Sequence, residues 1–131
     1  MLAPTSPGDV LDRLTILHLK VARIGDAERV GIARRHAEAL AAAWAAEGLP
    51  PPTSLPEHAA LARVNGELWE VEDALRAHEA RGDFGARFVE LARSVYRLND
   101  ERSRHKAAVD CRLGAEHREI KSYEGRASSE T

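Results

Sequence analysis

At 131 residues, with 44% hydrophobic and 31% charged side chains, the chain has the length of one domain and the apolar content for one core. A formal net charge of −2 argues against non-specific binding to nucleic acid, and a single cysteine, Cys111, excludes an internal disulfide. Aromatic residues are 5% of the chain while alanine, leucine, arginine and glutamate dominate, so an all-α fold is expected. The longest apolar run, Leu40 to Ala46, falls far short of the roughly 20 residues that cross a bilayer. The start, Met1-Leu2-Ala3-Pro4, has no basic stretch before an apolar one, so no signal peptide and a cytoplasmic location are expected.

Four helices follow from their punctuation. Ser6-Pro7-Gly8-Asp9 offers a capping serine, a proline at the first helical position and an acid in the first turn. The first helix is expected to run to about Ile24, where Gly25 stops it and Asp26 caps the next. The second covers Ala27 to Glu47 and ends at Gly48. Prolines 50 to 52 then break the chain. Ser54-Leu55-Pro56-Glu57 reads as a second capping box, opening a third helix to about Arg81. Gly82-Asp83 separates it from a fourth helix, Phe84 to about Leu113, ended by Gly114. Residues 1–123 are expected to form one domain, with Glu119 to Tyr123 ambiguous and 124–131 a flexible tail.

Short connections of this kind make antiparallel neighbours, so the expected architecture is a four-helix antiparallel bundle with two long C-terminal helices. At 1.5 Å per residue the third and fourth helices would reach about 40 Å. The first is shorter, which leaves apolar surface on the long pair that a homodimer is expected to cover.

Helical phase locates the unusual polar residues. Leu61, Val64, Leu68, Val71 and Leu75 form one stripe of the third helix, with Asn65, Trp69, Glu72 and Arg76 running beside it. On the fourth helix the stripe of Phe88, Leu91, Ala92, Val95 and Leu98 resumes at Val109 and Leu113. Between them Asn99, Arg102 and Lys106 occupy the apolar phase, against simple binary patterning. Buried cations need partners, and Glu72 is the expected one. Only three of the 19 basic residues are lysines, Lys20, Lys106 and Lys121, so a compact ammonium is selected where lysine persists.

Other chemistries find less support. The six histidines show no HxxxH or ExxH pairing, and no metal or cofactor is expected. The run Glu67, Glu70, Glu72, Asp73 would suit magnesium only with facing carboxylates, where the fourth helix offers Asn99 and Arg102. Gly8, Gly25 and Gly31 are isolated and form no phosphate loop.

Four segments, SPGDVLDRLTIL at 6–17, VNGELWEVEDALR at 64–76, FVELARSVYRLNDERSRHK at 88–106 and EIKSY at 119–123, resemble a family of small bacterial all-helical proteins catalogued only as a domain of unknown function. The resemblance implies the helical fold and no reaction. It also implies that Asp12, Arg13, Thr15, Lys20, Asn65, Trp69, Glu72, Asp73, Asn99, Asp100, Arg102, Lys106, Lys121 and Tyr123 are family features. Where that family carries glutamate after Leu17, this chain has His18.

The function expected from these residues is binding of a small anionic molecule, a carboxylate or phosphate, inside the bundle. If that site is an enzyme's, it works without metal, with Glu72 and Lys106 catalytic and Asn65, Trp69, Arg76, Asn99, Arg102 and Lys20 binding substrate. Cations exceed acids in that cluster, so replacing Arg102 or Lys106 with methionine is expected to spare stability and lower affinity. The alternative is a non-catalytic, homo-oligomeric protein–protein interaction module whose polar network is structural.

Overall fold

The computed structural model describes residues 4–114 and 120–121; the tail expected at 124–131, and Tyr123, lie outside them. The fold is all-α. Four helices carry it: α1 (Pro7–Arg23), α2 (Ala27–Ala46), α3 (Pro56–Arg81) and α4 (Ala86–Leu113). Ser6 caps α1 by accepting from the Asp9 amide at 3.2 Å, and Asp26 caps α2 by accepting from the Glu28 amide at 2.9 Å. Gly48, Gly82 and Gly114, with φ of 73°, 67° and 87°, follow α2, α3 and α4 in backbone conformations that suit glycine.

Two boundaries differ from the sequence expectation. Ser54 closes a 3-10 turn, Pro52–Ser54, in which its hydroxyl donates to the Pro51 carbonyl at 2.6 Å. It is therefore spent before α3 begins, and Leu55 takes the cap position without a side-chain bond. Phe84 precedes α4 rather than opening it, and stands edge-on to Phe88 with ring centroids 5.1 Å apart. One small pairing falls below the reach of hydrophobic periodicity. The two-residue strands β1 (Pro4–Thr5) and β2 (Ile120–Lys121) meet antiparallel, Thr5 opposite Ile120.

The helix α1 lies against all three others, while α2 packs chiefly on α1, and α3 on α4. The core gathers Val10, Leu11, Leu14 and Leu17 of α1, Leu40 and Trp44 of α2, Leu61 of α3 and Val109 of α4. Trp44 is fully buried, and its indole N–H donates to the Pro50 carbonyl at 2.6 Å, which ties the proline link to the core.

Burial falls away along the α3–α4 pair. Leu61, Val64 and Leu68 are buried as their stripe predicts, whereas Val71 and Leu75 are only half-buried. On α4, Leu91 and Val109 are buried and Phe88, Val95 and Leu98 are half-buried. Helix lengths account for this: the 17 residues of α1 span about 25 Å at 1.5 Å per residue, against about 40 Å for the 26 of α3.

Candidate functional site

The first turns of α1 run along α4 in the opposite direction, and three successive turns of α4 each bring one polar group to them. The Gly8 amide donates to Asp110 Oδ1 at 2.7 Å. Lys106 Nζ meets Asp9 Oδ1 at 2.9 Å. Arg102 grips Asp12 with two bonds, Nε to Oδ1 at 2.8 Å and Nη2 to Oδ2 at 2.6 Å. A spacing of four keeps Arg102, Lys106 and Asp110 on one stripe of α4, matched by the spacing of three between Asp9 and Asp12 on α1. The result is a polar ladder between the first helix and the last.

Asp12 stands at its centre, with its side chain 5% exposed. Besides Arg102 it accepts from Asn65 Nδ2 at 2.9 Å, bringing α3 into the network. The same amide donates to Thr15 Oγ1 at 2.9 Å, and that hydroxyl donates onward to the Asp12 carbonyl at 2.7 Å. A carboxylate taken from water loses several kcal/mol of hydration, which only a full set of charge-assisted bonds can offset. This set is full: among the described residues no buried side-chain nitrogen or oxygen lacks a partner. The bonds to Asp12 hold the Arg102 guanidinium above even its ordinary high range. Partial burial pushes the Asp9 carboxyl up, but the Lys106 ammonium and the Ser6 cap together outweigh it and hold Asp9 below the usual carboxylate range.

Of the eight residues expected at a site, Asn65, Arg102 and Lys106 belong to the ladder. Asn99 touches its edge, Oδ1 accepting at 3.5 Å from Arg102 Nη1. Glu72 is exposed; its charge is felt by Arg102, but the partner expected of it is instead Asp12. Lys106 likewise takes Asp9. The reason is that α1 lies between the polar flanks of α3 and α4 and brings its own carboxylates, so the expected excess of cations is absent. The remaining three lie elsewhere. Arg76 pairs with Asp73 at 2.7 Å on the surface, and Trp69 lies half-buried under Arg23, whose guanidinium carbon is 5.8 Å from the ring centroid. Lys20 is exposed on α1 where α2 passes.

Sequence reasoning gave Asp9, Asp12, Thr15 and Asp110 no role at the site. The signal was present: two acids three apart near one helix start, and two cations four apart near another helix's end, complement each other when the helices are antiparallel.

A further ion pair joins α3 to the end of α4, between exposed Arg112 and buried Glu57. Arg112 Nη2 lies 2.9 Å from Glu57 Oε2, and Arg112 holds the buried Glu57 below the usual carboxylate range. Next to it in sequence, burial and then the charge of His18 keep the His58 imidazole below its ordinary 6.5. These shifts set the acid response. His58 favours its neutral form in the fold, so its contribution is complete above about pH 6.5 and declines below. Asp9 and Glu57 favour their ionised forms, so theirs holds above about pH 4.5 and is lost on further acidification. Melting temperature between pH 8 and pH 3 is expected to fall in two steps, the upper one disappearing in His58→Gln. A wild-type profile flat down to the carboxylate range would contradict the role of His58.

Comparison with family models, curated proteins and solved structures returns no match for this chain. No helix among the described residues is long and apolar enough to cross a membrane.

Proposed function

We propose that this chain is a non-catalytic helical interaction module, an antiparallel bundle that self-associates as a dimer through a groove between α3 and α4. The observation that carries this reading is that groove, open and of about 600 Å³, floored by Val71 and Leu98. Its α3 edge carries Glu67 and Glu70, and its α4 edge carries Arg97 and Arg104 with Glu101 between them, a net positive edge. A two-fold axis running along the helices sets each acidic edge over the partner's basic edge and makes the groove self-complementary. The polar ladder then serves the fold, holding α1 in register. Membership in the small bacterial helical family is part of the proposal; two of its segments, SPGDVLDRLTIL and FVELARSVYRLNDERSRHK, supply Asp9, Asp12, Arg102 and Lys106.

Sedimentation equilibrium at micromolar concentration is expected to give twice the monomer mass. Reversing both exposed groove arginines, Arg97→Glu with Arg104→Glu, should weaken association by about tenfold or more, about 1.4 kcal/mol, and leave the helical circular dichroism spectrum intact. A monomer mass throughout would remove the reading.

The second reading keeps the ladder as a site for an anionic metabolite. It is favoured by the outer side of the ladder, where the Arg102 and Lys106 side chains are 30% and 31% exposed beside exposed Asn99. A carboxylate or phosphate would meet donors there. The two readings part on replacement of Arg102 with methionine: ligand affinity alone falls in this one, stability in the other.

A further inference from the structure

We propose that the seam between α1 and α2 binds a small free amphiphilic anion, a carboxylate or phosphate head carrying a short apolar body. The seam holds a cavity of about 240 Å³, below the 300–1,000 Å³ usual for drug-sized ligands, so its occupant is small. Leu17 and Ala33, both buried, form part of its lining, with Ile24 and Ile32 beside them. Ile32 is 44% exposed there, a large aliphatic side chain left in water.

The polar part of the lining carries two cations, Lys20 and Arg29, and one imidazole, His36. Lys20 comes from α1, and Arg29 and His36 from α2. Each helix turns one stripe to the seam: Leu17, Lys20 and Ile24 at i, i+3 and i+7, and Arg29, Ile32 and His36 at the same spacings. Among the described residues no acid lines the cavity, and none of the three forms an ion pair. Lys20 and Arg29 thus stand beside an apolar floor with no carboxylate paired to either among the described residues. Exposed cations alone are well solvated and bind simple anions weakly. An apolar floor alone selects no charge. Together they select a ligand that has both parts, the apolar body leaving water on the floor while the head meets the donors.

The test is titration of the ¹⁵N-labelled full chain with hexyl phosphate, followed by amide chemical shifts. Saturable shifts confined to residues 17–36 are expected, with inorganic phosphate and 1-hexanol each at least about tenfold weaker, about 1.4 kcal/mol. Lys20→Gln with Arg29→Gln, two exposed positions, should lower hexyl phosphate affinity by a similar factor and leave the circular dichroism spectrum and melting temperature unchanged. Hexanol binding as well as hexyl phosphate would overturn the charge argument, and inorganic phosphate binding as well would overturn the floor. Absence of a saturable response, or an affinity unchanged in the double variant, would overturn the site itself. Co-sedimentation with phosphatidylglycerol vesicles without a response to free hexyl phosphate would overturn the assignment by giving the cations to a membrane surface.

Discussion

Replacing Arg102 with methionine is expected to cost the fold about 3–5 kcal/mol, the penalty for leaving a buried charge without its partner. The loss comes from Asp12, not from Arg102. Its carboxylate is 5% exposed and would keep only the Asn65 amide in place of three side-chain bonds. Methionine retains the apolar stem, so lost packing contributes little. Two further variants show where the energy lies. Asp12→Leu alone strands Arg102, but that side chain is 30% exposed and can turn to water, so the loss should be smaller. The double variant, Asp12→Leu with Arg102→Met, removes both charges and should recover most of the stability lost in Arg102→Met. Urea unfolding of the three variants measures this directly. Unchanged stability in Arg102→Met would restore the ligand reading, in which Arg102 is spared structural work.

Gly8→Ala is expected to destabilise by about 1–3 kcal/mol, the usual cost of forcing an atom into a packed interior. In an open helix the same change would stabilise by about 0.5–1 kcal/mol, because alanine gives up less conformational freedom on folding. Here the steric effect wins. A Cβ at Gly8 would press into the backbone carbonyl of Lys106 and lie 3.1 Å from Asp110 Oδ1. A main-chain carbonyl inside a helix cannot swing aside, so α1 has to lift from α4. The bonds from Lys106 to Asp9 and from Arg102 to Asp12 then lengthen with it. A denaturation midpoint that rises in Gly8→Ala would show that the two helices do not approach so closely.

The helices themselves were legible because their signals are local. Ser6, Asp26, Gly48, Gly82 and Gly114 act within a few residues of where they stand, and the Leu61, Val64, Leu68 stripe reports burial by phase alone. Ser54 misled because a capping serine and a 3-10 turn serine look alike in sequence; the prolines before it decided the outcome. The polar cluster was half legible. Phase showed that Asn65, Arg102 and Lys106 face inward, but a helical wheel describes one helix at a time and does not say which neighbour fills the facing space. Glu72 was the nearest acid by that logic, and α1 displaced it with Asp9 and Asp12. Lys20 enters the expected site through the rarity of lysine in this chain, a signal that carries no information on neighbours, and the structure sets it where α2 passes.

The ladder also orders events as the chain is made. Asp12 and Arg102 are 90 residues apart, and Gly8 and Asp110 are 102 apart. The α3–α4 pair can close over its short Gly82–Gly85 turn as soon as it has been synthesised. By contrast, α1 and α2 emerge first and must wait with Asp12 unpaired until the last helix leaves the ribosome. Closing so long a loop carries more chain entropy than closing the α3–α4 turn. The N-terminal turn therefore docks on α4 only after α4 is made, and a chain cut before Arg102 would leave Asp12 without the guanidinium that meets it.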